Sequence, residues 1–116
     1  MKLFEKTTTK VKVLATMVLS KQLTDAKNDC QKKINNPIAR AKLGFVIMNF
    51  ESGLKDAEKN PEINQKVIIL LKEIVNWTTE TITLWKNEKW EEIDYETWDE
   101  LIDWVNTQAA SLCTKA

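Results

Sequence analysis

The sequence predicts an all-α protein, an antiparallel four-helix bundle that forms one domain over residues 1–116. Three observations lead to this prediction. Apolar residues recur at three- and four-residue steps through most of the chain, and two Asn-Pro steps divide that pattern into segments of helical length. The length of 116 residues is also sufficient for one core without a disulfide or a metal.

The first helix is predicted over residues 7–35. Its apolar positions follow one stripe along a single helical face, as expected for a long helix packed on one side. These positions are Val11, Leu14, Ala15, Val18, Leu19, Leu23, Ala26, Cys30 and Ile34.

Two Asn-Pro steps predict the next helix starts, because asparagine is a preferred N-cap and proline suits the first helical position. Asn36-Pro37 begins a helix over 37–58, and Asn60-Pro61 begins a helix over 61–86. The threonine-rich run 78–83 favours a strand locally, but the helical spacing of apolar residues continues through it. We therefore expect one uninterrupted third helix.

The second helix carries apolar residues on two sides. Phe45 and Met48 lie almost opposite the main apolar face. Large apolar side chains left in water favour a covering surface. The sequence therefore predicts self-association through Phe45 and Met48, with a bundle completed by oligomerisation as one form of it.

The fourth helix is predicted over 94–113. Asp94 is a good N-cap, and Ile93 and Trp98 stand where a hydrophobic staple places its two residues. The inward stripe is predicted to be Trp98, Leu101, Ile102, Val105, Ala109 and Leu112, with Glu96, Asp99, Glu100 and Asp103 on the opposite face. Trp104 lies off that stripe, where we do not expect a core residue.

The composition excludes several chemistries. The chain has no histidine, which removes the usual base of nucleophile pairs and the Glu-x-x-His metal motifs. Its two glycines lie in the second helix, so no phosphate-binding loop is expected. The carboxylates of residues 88–96 lack the spacing of a calcium loop. We expect no catalytic residue, no cofactor and no metal.

The two cysteines, Cys30 and Cys113, are predicted to be unpaired. An antiparallel arrangement of the first and fourth helices places them about 22 Å apart, far beyond disulfide reach. So few cysteines, and no apolar run of about 20 residues, indicate a soluble cytoplasmic protein without a membrane span.

The charges are unevenly distributed although the net charge is zero. Residues 1–42 hold ten Lys/Arg against three Asp/Glu, whereas residues 88–116 hold two against eight. Tryptophan beside charged residues is a common anchor for a partner. We therefore expect a non-enzymatic interaction protein, a subunit, adaptor or inhibitor, which binds a protein partner through its acidic C-terminal helix. The predicted contact residues are Trp90, Glu96, Glu100, Asp103 and Trp104.

A nucleic-acid-contacting accessory subunit is the alternative. Lys10, Lys21 and Lys32 are spaced by eleven residues, close to three helical turns, so they line up along one edge of the first helix. Such a row can follow a phosphate backbone. A solvated lysine face explains the same pattern. An enzyme and a bundle that binds a small apolar ligand are further alternatives.

Overall fold

The computed structural model describes the backbone of residues 16–114 and the side chains of residues 18–107. Within that range the chain forms four helices and no strand, which confirms the predicted all-α bundle. The helices are α1 (Thr16–Gln31), α2 (Pro37–Ala57), α3 (Gln65–Lys86) and α4 (Tyr95–Thr114), with a 3-10 turn at Trp90–Glu92. No described helix has the length and apolar character needed to cross a bilayer.

The helices pack around one core. α2 lies between α1 and α3, and α4 packs on the other side of α1. α1 and α4 are antiparallel, since Ser20 contacts Asn106 near one end and Cys30 contacts Tyr95 near the other. Between α3 and α4 the contacts come from large side chains, mainly tryptophans.

α1 ends at Gln31, four residues before the predicted end. Lys33 adopts a left-handed conformation with φ of 59°, which turns the chain away from the helix axis. Its amide donates to the Cys30 carbonyl (2.9 Å), and the Ile34 amide donates to the Asp29 carbonyl (3.0 Å). These two bonds form a Schellman cap, so backbone geometry stops the helix before the apolar periodicity does. The predicted residues 7–15 of this helix lie outside the described residues.

α2 starts where the Asn36-Pro37 step predicts. The Asn36 side-chain oxygen accepts a 2.8 Å hydrogen bond from the Ala39 amide, and Pro37 occupies the first helical position. The cap satisfies one of the amides that a helix start leaves unpaired.

α3 begins at Gln65, four residues after the predicted start. Residues 61–63 form a turn in which the Asn60 carbonyl accepts bonds from the Ile63 and Asn64 amides. The Asn64 side chain donates to the Ala57 carbonyl, which ties this turn to the end of α2. Ile63 lies in this turn rather than in α3 and is 84% exposed.

The threonine-rich run of α3 is helical, as predicted. The hydroxyls of Thr78 and Thr81 donate to the carbonyls of Ile74 (2.7 Å) and Trp77 (2.8 Å) one turn earlier. Both threonines are buried, so these bonds remove the cost of burying their hydroxyls.

α4 starts with the predicted cap. The Asp94 carboxylate accepts bonds from the amide (3.0 Å) and the hydroxyl (2.5 Å) of Thr97. Ile93 and Trp98, the predicted staple pair, are both buried in the core. The chain therefore enters α4 in one defined orientation.

Candidate interaction surfaces

Trp98 is the centre of an aromatic cluster that joins α3 to α4. Its ring lies 5.8 Å from Trp77 in an edge-on arrangement, 6.3 Å from Trp85, and 5.7 Å from Tyr95 in a stacked arrangement. Such ring geometries add stability beyond that of buried area alone. Trp77, Trp85 and Trp98 are thus all part of the core.

Two buried indoles also bind α1. Trp98 donates to the Leu23 carbonyl (3.0 Å), and Trp85 donates to the Ile34 carbonyl (2.9 Å) beyond the end of α1. A buried indole N–H needs such a partner. These bonds hold three helices together at this end of the bundle.

Trp104 is buried, with 8% of its surface exposed. Its ring centroid lies 6.3 Å from that of Phe50 in α2. The expectation that Trp104 projects from the core is therefore wrong. This ring is part of the core, and the isolated chain does not present it as an anchor.

α4 contacts α1 and α2 through different sides. Lys27 of α1 forms an ion pair with Asp99, and Ser20 of α1 donates to Asn106, so α1 lies along the side of α4 that carries these polar residues. Trp104 lies on the other side of α4, where its ring packs against Phe50 of α2. Ile102, predicted as part of the inward stripe, is only partly buried.

The acidic residues of α4 have different surroundings. Glu96 and Asp103 are exposed, as a solvated face requires. Glu100 is half-buried, and its Oε2 atom is buried without a hydrogen-bond partner. The predicted contact residues Glu96, Glu100 and Asp103 thus lie on one side of α4, but without an exposed tryptophan among them.

Trp90 lies at one end of the bundle, in the 3-10 turn that precedes α4. Its side chain is half-buried and packs against the core, which leaves part of the ring accessible. A shallow cavity of about 260 Å³ adjoins it. The cavity is lined by Lys33, Glu88, Lys89, Trp90, Glu91 and Glu92.

The same end holds both residues with a left-handed backbone among those described. Lys33 follows α1 and Glu88, with φ of 58°, follows α3. The Glu88 and Lys89 amides donate to the carbonyls of Trp85 and Leu84, so α3 ends in the same kind of cap as α1. Charged side chains thus stand at two positions where glycine is the usual residue.

Cys30 has a buried free thiol. Burial raises its pKa, and the hydrogen bond that it accepts from the Tyr95 hydroxyl (3.4 Å) lowers it by less. The thiol therefore stays protonated near neutral pH and is a poor nucleophile. The side chain of Cys113 lies outside the described residues.

The predicted lysine row is not a continuous helical edge within the described residues. Lys21 is exposed and lies 3.5 Å from Asp25, one turn along α1. Lys32 is in the turn that follows α1, and Lys10 lies outside the described residues. Among residues 18–107, no cluster of three or more Cys, Asp or Glu is arranged to hold a metal ion.

The outer face of α2 is apolar and exposed. Ile38 is 81% exposed and Met48 is 70% exposed, whereas Phe45 is half-buried against the core. Ala41 and Ser52 continue the same face at three- and four-residue steps. Of the two predicted self-association residues, Met48 is the more exposed, and Ile38 is a third exposed member of this face.

Comparison with known proteins adds no relative. No family model, no curated protein and no solved structure matches the chain significantly.

Proposed function

We propose that this protein is a non-enzymatic helical interaction protein, a subunit, adaptor or inhibitor, that acts through protein–protein contacts in the cytoplasm. One observation carries the proposal. The bundle buries its core without covering Ile38 and Met48, which stay exposed on the outer face of α2. Exposed apolar patches of this kind mark interaction sites in soluble proteins.

The non-enzymatic part of the proposal rests on composition and on Cys30. The sequence has no histidine, and the described thiol is buried with a raised pKa. A histidine base is therefore absent from the sequence, and Cys30 is not an activated nucleophile.

The acidic end around Trp90 is a second proposed contact. Three glutamates, Glu88, Glu91 and Glu92, and two lysines, Lys33 and Lys89, surround a partly accessible indole, and Glu92 pairs with Lys89 at 3.7 Å. The remaining negative charge of Glu88 and Glu91 beside the indole is suited to a basic protein segment. Glu96 and Asp103 extend the negative charge along α4. Trp104 is not part of this surface, because its ring is in the core.

Nucleic-acid binding through the lysines has less support. Lys21 is engaged with Asp25, and Lys32 lies beyond the helix that should align it with Lys21. Nucleic-acid binding is therefore treated as an alternative result of the capture experiment described below. Binding that falls steeply with added salt would indicate phosphate contacts.

The test is affinity capture from a lysate of the source cells with wild-type protein and three variants. Ile38→Gln with Met48→Gln removes the apolar face of α2, and Glu91→Lys with Glu92→Lys reverses the acidic end. Ile63→Gln is the matched control, because Ile63 is equally exposed but lies in the turn before α3. Loss of a bound protein with the α2 variant alone supports the proposal. Identical recovery with all four proteins contradicts it.

A further inference from the structure

The outer face of α2 carries both large and small residues, so it is complementary to the same face of a second α2 helix. Ile38, Ala41, Phe45, Met48 and Ser52 occupy it at three- and four-residue steps and are all uncharged, and the first charged residue on this spacing is Lys55 near the end of the helix. Ala41 is small, and a side chain built at Gly44 meets no atom within 4 Å. Large residues thus alternate with open places on the same helix.

Opposite charges flank this face at corresponding places. Arg40 and Glu51 are eleven residues apart, close to three helical turns, so both lie on the same edge of α2. Arg40 donates one N–H to the side chain of Asn35 and keeps its other donors. Glu51 is exposed and has no ion-pair partner among residues 18–107.

We propose that the outer face of α2 binds the same face of a second copy of this chain, with the two α2 helices antiparallel about a two-fold axis near residues 45 and 46. This inference rests on the proposed function and names the partner of the same surface. A two-fold contact is isologous, so each residue pair occurs twice.

The symmetry sets the register. An axis perpendicular to α2 at its midpoint keeps each edge of one helix beside the same edge of the other. Arg40 then opposes Glu51 of the second copy, and Glu51 opposes Arg40. Two ion pairs result, each able to use the guanidinium fork of arginine. Lys42, on the other edge, already pairs with Asp29 at 2.5 Å and brings no like charge to this contact.

The apolar residues fit the same register. Met48 of one copy stands over the open places at Ala41 and Gly44 of the second copy, so large side chains meet small ones. The Phe45 rings lie beside the axis. Covering Ile38 and Met48, now 81% and 70% exposed, supplies the apolar driving force, and the ion pairs select the antiparallel register.

The first experiment is sedimentation equilibrium over a wide concentration range. We expect a monomer–dimer equilibrium for the wild type. Met48→Gln should raise the dimer dissociation constant about tenfold or more, because one apolar contact is lost at each of two symmetric places. Ile63→Gln, at an equally exposed apolar position away from α2, should leave it unchanged.

Charge reversal tests the partner and the register together. Arg40→Glu and Glu51→Arg should each raise the dissociation constant about tenfold, since each brings like charges together twice. The double variant restores both pairs and should return to near the wild-type value. Glu51→Arg leaves the Arg40–Asn35 bond untouched, so its effect is independent of folding at the start of α2.

Cysteine crosslinking tests the orientation in a Cys113→Ser background. Gly44→Cys places two thiols about three residues, or roughly 4.5 Å, apart along the axis, and should form a disulfide dimer on oxidation. Ser52→Cys places them about 20 Å apart and should not, whereas a parallel pair would crosslink at both positions.

Three outcomes overturn the inference. These are a strictly monomeric wild type at all concentrations, no recovery in the double charge reversal, and crosslinking of Ser52→Cys. If the wild type is monomeric while the Ile38→Gln, Met48→Gln protein still loses a partner from the lysate, the second-copy inference fails and the proposed function stands. If neither dimerisation nor capture depends on α2, both fail.

Discussion

Trp98 of α4 donates a 3.0 Å hydrogen bond through its indole N–H to the backbone carbonyl of Leu23 in α1, and both side chains are fully buried. The bond fixes the position of α4 along the axis of α1. It also fixes the indole plane, against which Tyr95 stacks and Trp77 packs edge-on. Trp98 therefore links α4 to both α1 and α3.

Replacement of Trp98 should be among the most destabilising changes in the chain. Trp98→Ala removes a fully buried ring and should lower the free energy of unfolding by about 3–5 kcal/mol. Trp98→Phe keeps an aromatic ring but loses the N–H bond and part of the volume, so a loss of about 1–3 kcal/mol is expected. Chemical denaturation followed by circular dichroism measures both, and a loss below 1 kcal/mol for Trp98→Ala would contradict the central position of this ring.

Trp104→Ala should also destabilise the fold, by about 3–5 kcal/mol, because its ring is buried against Phe50. Met48→Ala is the matched control, since Met48 is largely exposed and its loss should change the stability of the monomer by less than about 0.5 kcal/mol. Unfolding is compared at low protein concentration, where monomers dominate. If the Trp104→Ala protein and the wild type had equal free energies of unfolding, the burial of Trp104 would be contradicted.

The left-handed residues Lys33 and Glu88 offer a stabilising change. Glycine reaches positive φ without the clash that a Cβ causes, so Lys33→Gly and Glu88→Gly should each raise the free energy of unfolding by about 0.5–1 kcal/mol. Lys32→Gly, one residue before Lys33, is the control and should be neutral or destabilising, since glycine there only adds freedom to the unfolded chain. Thermal unfolding of the wild type and the three variants ranks their stabilities.

A loss of stability in Lys33→Gly would mean that its side chain contributes more than the backbone costs. In that case the Lys33 side chain, which lines the cavity beside Trp90, would contribute to the stability of the fold.

Asp94 should make the stability depend on acid pH. Burial raises the pKa of its carboxyl, but hydrogen bonds from the hydroxyl and amide of Thr97 outweigh burial and hold the pKa below its ordinary value. Because the pKa is lower in the folded protein than in the unfolded chain, ionised Asp94 stabilises the fold above about pH 4. That contribution is lost as the pH falls through the lowered pKa.

The comparison of wild type with Asp94→Asn isolates this effect, because asparagine keeps the cap and removes the charge. Between about pH 7 and about pH 3 the wild type should lose more stability than the variant, by roughly 1 kcal/mol or less. Denaturant unfolding at both pH values is the measurement. Parallel losses in the two proteins would show that Asp94 does not titrate in this range.

Tyr95 should titrate late in alkali. It is the one tyrosine of the sequence, so ultraviolet titration of the phenol reports on it alone. Burial raises the pKa of its hydroxyl, and the hydrogen bond to Cys30 raises it further, so the folded protein should ionise well above the usual pH of about 10. Since the folded pKa is raised, its contribution to stability is complete below about pH 10 and is lost as the pH rises.

Unfolding the chain should return the Tyr95 titration to the ordinary range, and Tyr95→Phe should remove the alkaline change in stability. A native titration centred near pH 10 would mean that the hydroxyl is open to water and does not bond to Cys30.

The candidate surfaces were only partly predictable. The sequence indicated that Phe45 and Met48 lie away from the main apolar face of α2, and Met48 is indeed exposed while Phe45 is half-buried. It placed Trp90 in the connection before α4, where the structure has it. The cavity beside Trp90 could not be predicted from the sequence, because Lys33, which follows the C-terminal end of α1, is far from Trp90 along the chain.

The sequence by itself determined the features that depend on neighbours along the chain. Helical periodicity gave four helices, and the caps at Asn36 and Asp94 set two helix starts, because an N-cap bonds to an amide three residues later. The tertiary structure decided the rest. α3 begins late because Asn64 bonds to the end of α2, and Trp104 is buried because its ring packs against Phe50 of α2. Periodicity defines an apolar face only to within part of a turn, and packing against other helices decides which residues at its edges leave water.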